Sequence, residues 1–460
     1  MSHSKLASIF NIDEKRVDWH DKALWFVRHK RDVSVHQVKG WEELRNLGHD
    51  IKAHTLSNID NYLIQFEANV LKNGVQVHWA ANDEEHNQIV LNIIKENNAK
   101  KIVKSKSMLT EECHLNPFLE SNNIEVIDTD LGERIVQLAK EPPSHIVLPA
   151  IHKNKHEVDE LFQEHLGTKP CDGDPQYLTG EARKHLREKF IHADVAITGV
   201  NFAIADTGGF VVCTNEGNAD MGAHLAPVHI ACMGVEKIIP NQEHLGVFLR
   251  LLARSATGQP ITTYSSHFKK PRKGAKMHIV IVDNGRTEQL SRPDFRASLH
   301  CIRCGACMNT CPIYRRSGGH SYDATISGPI GSILSPGKDL TKHSSLPFAS
   351  TLCGSCSDVC PVKIDIHAQL YKWRQIITKE TPQPFVKKQS MKFMGKIFSK
   401  PSQFEQVGKM ARWSLRNLPK SIINSKPNAW GKARDLPIGQ KQSFDDWYKE
   451  RENNKKSNAQ

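Results

Sequence analysis

The sequence predicts an α/β domain built on a largely parallel sheet, followed by a smaller, mainly helical, cysteine-rich module and a helical tail. Three observations carry this. From Val75 onward short apolar runs alternate with helical patterns, as βα units require. Seven of the eleven cysteines then crowd into two motifs, Cys301-x2-Cys304-x2-Cys307-x3-Cys311-Pro312 and Cys353-x2-Cys356-x3-Cys360-Pro361. Beyond them amphipathic helical periodicity returns with a strong basic bias.

In chain order, residues 1–70 read as an N-terminal helical segment, with apolar Leu63, Ile64 and Phe66 at helical spacing. Strands are expected at 75–79, 101–103, 124–127, 146–148, 195–198, 210–213, 237–239 and 277–282. Helical patterns such as 84–95 and 132–139 lie between them, so 71–290 forms the α/β domain. A Gly- and Pro-containing stretch at 283–293 separates it from the cysteine module at 291–375. Residues 376–460 form a helical extension whose end, 450–460, reads as solvated, frayed and disordered.

With 460 residues the chain is long enough for two or three domains, because single cores rarely grow beyond about 250–300 residues. No run approaches the roughly 18 apolar residues of a membrane span, and the first residues lack the apolar centre of a secretory signal. A cytoplasmic location is therefore expected, which suits reduced thiolates. The net charge of +12 invites a nucleic-acid reading. The lysines are spread through helical segments without a nucleic-acid motif, so no such partner is expected. The local excess at Lys387, Lys388, Lys392, Lys396 and Lys400 suits an acidic partner subunit or peripheral contact with the inner face of the membrane.

The cysteine spacing marks iron–sulfur ligation at two centres. In such pairs the cysteine before proline crosses to the other cluster, which assigns Cys301, Cys304, Cys307 and Cys360 to a complete 4Fe-4S cluster. Cys311, Cys353 and Cys356 are left for a second cluster with an open corner. Counting back ten residues from Cys360 finds Ser350 where the first cysteine of a full motif would stand. Ser350, a water or a substrate atom can fill that corner as a site-differentiated 4Fe-4S cluster, or the site holds a 3Fe-4S cluster. Zinc sites use four ligands from two separated pairs, a pattern this packing of cysteines does not follow.

The segment 199–218 interrupts apolar runs three times with polar, turn-forming groups. Asn201, Asp206, Thr207, Asn215 and Glu216 are thereby expected at strand ends, where ligands of open α/β sheets bind. Glu216 is the carboxylate that could act as a base, though no companion base is visible nearby. The competing reading is a set of hairpin turns with capping side chains. His224 and His229 read as structural, and Cys113, Cys171, Cys213 and Cys232 lack ligand spacing. Without a G-x-G-x-x-G strand–helix turn or a P-loop, nicotinamide and ATP binding are unsupported.

This central segment, with Pro227-Val228-His229-Ile230 and Gly234-Val235-Glu236-Lys237-Ile238-Ile239-Pro240, resembles the LUD domain of lactate-utilisation proteins. The resemblance continues through Cys301-Ile302-Arg303-Cys304-Gly305-Ala306-Cys307, Gly318-Gly319-His320, Gly328-Pro329-Ile330-Gly331 and Leu352-Cys353-Gly354-Ser355-Cys356. The order of domains is similar to the LutB (LldF) family, the iron–sulfur subunits of bacterial L-lactate utilisation complexes. The resemblance implies a LUD fold related to sugar-phosphate isomerases and CoA transferases, then a ferredoxin-like two-cluster domain. It also implies a cysteine-rich LutA-like subunit and a small LUD-domain LutC-like subunit as partners in oxidising L-lactate to pyruvate, with an unknown electron acceptor. The residues alone leave two other classes open: an enzyme using an open iron site as Lewis acid, and a redox or iron sensor.

Overall fold

In the computed structural model, which describes residues 1–382, 385–424 and 436–457, the chain divides into two compact units, Met1–Ile377 and Thr378–Gln460. Four helices come first, at His3–Phe10, Glu14–His36, Trp41–Ser57 and Ile59–Lys72. Ten strands follow: β1 Gln76–Ala80, β2 Lys101–Lys104, β3 Glu125–Asp128, β4 Val195–Gly199, β5 Phe202–Ile204, β6 Gly209–Thr214, β7 Val228–Gly234, β8 Ile238–Ile239, β9 Tyr264–Phe268 and β10 Lys276–Val282.

Six of them form a parallel sheet in the order β1-β10-β7-β4-β2-β3. The direction of chain progression reverses between β2 and β4, the kind of switch point where open α/β sheets bind ligands. Side chains alternate between two cores: in β10, Val280 and Val282 face one cluster and Ile279 and Ile281 the other. Burial on both faces accounts for the unbroken apolar runs by which such strands are legible.

The remaining four strands depart from the expected single sheet. They form a second, mixed sheet ordered β8-β5-β6-β9. A hairpin turn joins β5 to β6, and a tight turn reverses the chain, so 210–213 cannot continue a parallel ladder. The same alternation serves two cores: Phe202, Ile204, Val211 and Ile239 enter one, Ala203, Phe210, Val212 and Ile238 the other. The expected strand at 146–148 is absent, because the His145 ring accepts hydrogen bonds from Val147 N (3.0 Å) and Leu148 N (3.1 Å) and holds the segment as a loop. Ile146 is apolar because it enters a core, not because it extends a sheet.

The core that takes Phe202 and Ile239 also contains Leu24, Trp41 and Ile51 of the N-terminal helices, Phe248 and Leu251 of helix Gln242–Thr257, and most of the motif cysteines. The parts read separately as 1–70, 71–290 and 291–375 thus share one unit. Polar ties match the apolar ones. Arg45 donates from Nε and Nη2 to the Cys360 carbonyl (3.0 and 2.8 Å) and from Nη2 to the Asp358 carbonyl (2.7 Å). Arg31 donates to the Val359 carbonyl (3.2 Å).

In the second unit, helices Phe385–Phe398 and Pro401–Asn417 have no buried residue. Helix Phe444–Ser457 replaces the fraying expected from 450 onward. Ser443 caps its start, accepting from Asp446 N at 3.1 Å, and Lys449–Asp445 and Lys455–Glu452 pairs brace it at 2.7 and 3.2 Å. Residues 458–460 of the expected disordered end lie outside the described residues.

Replacing Arg45 by Met strands buried carbonyls of the second cysteine motif. We expect a loss of roughly 1–3 kcal/mol in thermal or denaturant unfolding. Arg16→Met, which removes only surface ion pairs with Glu157 and Asp13, is expected to cost less than about 1 kcal/mol.

Candidate cluster sites and the adjoining cavity

A thiol-rich turn must fold its backbone back on itself so that successive cysteines face one point, and left-handed residues do this. In the first motif Arg303 (φ 60°) and Gly305 (φ 73°) flank Cys304; in the second Leu352 (φ 55°) and Gly354 (φ 80°) flank Cys353. The two loops are therefore backbone repeats. Cys301 Sγ accepts from the N–H of the residue two ahead, Arg303, at 3.4 Å. Ser350 Oγ accepts from Leu352 N at 3.1 Å, so Ser350 occupies in the second loop the place of Cys301 in the first.

Cys301, Cys304, Cys307 and Cys360 line one small cavity. Cys311, Cys353 and Cys356 gather at a second point, close enough that Cys353 acts on Cys311 and both act on Cys356. Burial pushes up the thiols of Cys304, Cys307 and Cys311, with Cys356 reaching about 12 and Cys360 about 11. Neighbouring sulfurs add to the rise for Cys304, Cys307 and Cys356. Such thiols ionise readily only against bound positive charge, which iron supplies. The surroundings fit sulfurs that carry charge: Ile364 N donates to Cys360 Sγ at 3.3 Å, and backbone N–H groups also address Cys304, Cys311 and Cys356. Cys353 is exposed and Ser350 partly so, leaving the second site the more open.

Beside the first cysteine group, at the carboxyl edge of the parallel sheet, lies a cavity of about 510 Å³. Its wall is assembled from residues that follow strand ends: Lys106 after β2, Asp130 after β3, Glu236 and Lys237 after β7, and Arg286 after β10. Arg303, from the first cysteine motif, completes it. Of the expected pocket residues, Asn201, Asn215 and Glu216 line this cavity. Asn201 Oδ1 accepts from Cys213 N (2.8 Å) and Asn215 Oδ1 from Thr263 N (3.1 Å), so both brace backbone.

Asp206 and Thr207 are corrected. They stand at the turn between β5 and β6, while Asn201 precedes β5, so one strand separates the two ends. At that turn Asn69 donates to the Asp206 carbonyl (3.0 Å) and Asn73 to the Thr207 carbonyl (2.9 Å). Gly208 (φ 64°) is required there because a Cβ would lie 2.5 Å from the Asn69 and Val70 backbone. The glycine-rich stretch thus serves helix packing at one end and the cavity at the other.

Lys106 and Asp130 are companions of Glu216 that sequence reading missed. Lys106 Nζ pairs with Asp130 Oδ2 at 2.8 Å, and Glu216 Oε2 accepts from Leu131 N at 3.1 Å. Crowding by protein, then the Asp130 charge, raises the Glu216 carboxyl above its usual range, although the residue stands exposed at the cavity wall. The signal available for Asp130 was its place as a helix cap, accepting from Glu133 N at 3.2 Å. Farther in, Arg286 pairs with Glu236 (2.6 Å) and Glu112 (3.0 Å), and Arg303 with Glu112 (3.4 Å). Burial would raise Glu236, yet Arg286, Lys237 and Arg303 outweigh it and hold the carboxyl at about 2.

His229 is buried, with Nε2 against Thr198 Oγ1 (2.8 Å) and Nδ1 without a hydrogen-bond partner among the described residues. Glu141, His152 and His320 also converge, but the Lys153 ammonium already pairs with Glu141 at 2.5 Å.

Against known families, residues 63–288 match the LUD domain, 297–364 the 4Fe-4S dicluster domain, and 371–453 the C-terminal region of lactate utilisation protein B. The chain is 43% identical over 444 residues to Lactate utilization protein B of Oceanobacillus iheyensis, covering 94% of this chain and 92% of that one. Similar proteins of the same name occur in Bacillus cytotoxicus (44%, covering 90% and 89%) and Geobacillus sp. (44%, covering 92% and 91%). A solved DUF162 family protein from Deinococcus radiodurans aligns over 49% of this chain and 98% of that one at 13% identity, with a TM-score of 0.25.

Proposed function

This chain belongs to the lactate utilisation protein B family, and from that membership we propose that it is the electron-transfer subunit of a complex that oxidises L-lactate to pyruvate. It is an iron–sulfur protein of the 4Fe-4S dicluster type. The observation that carries the reading is the meeting of Cys360 with Cys301, Cys304 and Cys307 around one small cavity beside the larger, charged one. Cys301, Cys304, Cys307 and Cys360 are the proposed ligands of the first cluster. Cys311, Cys353 and Cys356 are those of the second, with Ser350, water or a substrate atom at its fourth corner.

Lactate oxidation releases two electrons and two protons, and iron–sulfur clusters supply one-electron acceptor chemistry when bound. The chain's own residues answer the rest. Of the four acids lining the larger cavity, Glu216 alone has no ion-pair partner among the described residues, which supports it as the proton acceptor. The proposed partners are a cysteine-rich LutA-like subunit and a small LUD-domain LutC-like subunit. The C-terminal helices, with exposed Phe393, Phe398 and Trp413 among lysines, supply surface for such a partner. Peripheral contact with a membrane uses the same features, and no helix among the described residues is long and apolar enough to cross one.

Three outcomes are expected. In anaerobically purified protein, Cys360→Ala should damage the cluster of Cys301, Cys304 and Cys307, and Cys311→Ala the other. EPR of each, compared with Cys304→Ala, reads the pairing, and the reverse pattern means uncrossed ligation. Ser350→Cys should make the second site more resistant to oxidation, scored as iron retained per chain after mild oxidant; unchanged retention removes Ser350 from that corner. Glu216→Gln should lower lactate-dependent dye reduction by the assembled complex at least tenfold, a general-base contribution being about 10²–10⁴-fold, with iron content and melting temperature unchanged. Undiminished activity would remove Glu216 from the reaction.

A further inference from the structure

A cavity wall that mixes four acids with four bases is electrostatically closed only where each charge finds a partner. Here the bases are Lys106, Lys237, Arg286 and Arg303. Lys106 pairs with Asp130, Arg286 with Glu236 and Glu112, and Arg303 with Glu112. Among the described residues Lys237 has neither an ion pair nor a hydrogen bond from its ammonium. It sits in the one-turn helix Val235–Lys237 after β7, partly exposed, with Glu236, Arg303 and Cys301 near enough to act on its charge but no acid within ion-pair distance. Next to it, Arg303 Nη1 is buried without a hydrogen-bond partner, and so is Glu236 Oε1.

Such atoms are costly. A buried donor such as Arg303 Nη1, left unsatisfied, loses its hydration without replacement, and a half-buried ammonium that no acid reaches keeps most of its capacity to bind an anion. Lys52, a buried lysine close to Cys301, shows the usual resolution: its ammonium is taken up by the Glu236 carbonyl. Lys237 and Arg303 Nη1 have no such protein group.

We propose that Lys237 and Arg303 form a carboxylate-binding subsite at the cluster end of the cavity, taking the carboxylate of a small 2-hydroxy or 2-oxo acid. The subsite rests on the functional reading above and specifies where its substrate binds. A guanidinium edge and an ammonium together give a carboxylate charge-assisted donors from two directions. The cavity, at about 510 Å³, is larger than so small an acid needs, so the ion pair fixes position where shape does not. Glu216 is then the unpaired acid and Lys237 the unpaired base of one cavity, leaving a carboxylate for the base and a hydroxyl proton for the acid. Arg303 donates its backbone N–H to Cys301 Sγ while its side chain faces the cavity, which puts the bound acid beside the first cluster's ligand loop.

The test is calorimetry on the full-length, cluster-loaded chain under anaerobic conditions, with L-lactate, pyruvate, neutral L-lactamide and inorganic phosphate as probes. At least one of the two acids should bind and lactamide should not. Lys237→Gln should weaken the bound acid by roughly ten- to a hundredfold, and Lys237→Arg should restore most of the affinity, with iron per chain unchanged. Lactamide bound as tightly as lactate, phosphate preferred over both acids, or no binding of either acid would each overturn the subsite. So would unchanged affinity in Lys237→Gln with a shifted cluster potential, since Lys237 would then serve only as a counter-charge to the thiolates. The lactamide arm needs no substitution and decides the matter even if the variants lose iron. Lactate-dependent cluster reduction by the assembled complex, measured on the same preparations, tests the electron-transfer reading separately: its persistence without binding sinks the subsite alone.

Discussion

The position of Cys360 constrains the remainder of the first unit. It belongs to the second cysteine motif, yet it lines the cavity made by the first, so the Asp358–Cys360 turn must be held against a loop distant in sequence. Sulfur alone cannot hold it before iron arrives. Arg45 and Arg31, from two N-terminal helices, fix three successive carbonyls of that turn, and the apolar faces of the same helices enter the core containing the cysteines. The N-terminal segment is in this sense a brace for the cluster module, which is why it does not stand as a domain of its own. Helix Gln242–Thr257 closes the arrangement from the sheet side through Phe248 and Leu251.

Because the brace, the sheet and the cysteine loops share one core, the loop of Cys301 is brought to the carboxyl edge of the parallel sheet. Arg303 is the meeting point. Its left-handed backbone aims Cys301 and Cys304, and its guanidinium joins Glu112 in the wall of the sheet's cavity. A residue with φ near +60° is an uncommon place for arginine, since left-handed backbone favours glycine. Glycine would serve the turn equally well but would leave the wall without a cation at that point. The side chain therefore has work beyond the turn.

How much of this was legible follows from what each signal measures. The cysteine motifs were legible because ligation fixes residue type and spacing together. The backbone repeat sets Ser350 in the second loop where Cys301 stands in the first, the same register that counting back from Cys360 gives. Strands buried on both faces were legible as apolar runs, but a run reports burial and not pairing: 146–148 is a loop that buries Ile146, and 210–213 and 237–239 sit in a second sheet. β9 escaped notice because it is polar along most of its length. In the cavity, Asn201, Asn215 and Glu216 were found because polar groups interrupt apolar sequence there. Asp206 and Thr207 interrupt it equally, and only the hairpin's geometry separates the two ends. Lys106, Asp130, Lys237 and Arg286 come from four different strand ends, and no local pattern could assemble them.

The internal ion network also limits how the cavity can respond to a ligand. Arg286 is shared between Glu236 and Glu112, and Glu112 also reaches Arg303 and Lys338, so moving any one member disturbs the pairing of the others. Groups held this way are preorganised, and preorganised charge acts on a ligand without the reorganisation that mobile side chains require. The same rigidity limits how far the network turns toward Lys237: Glu236 acts on its charge, but its Oε2 is committed to Arg286, and among the described residues no acid reaches ion-pair distance of the ammonium. The ammonium is thus left without an ion pair by the network's geometry, and the proposed carboxylate would engage it without breaking any existing pair.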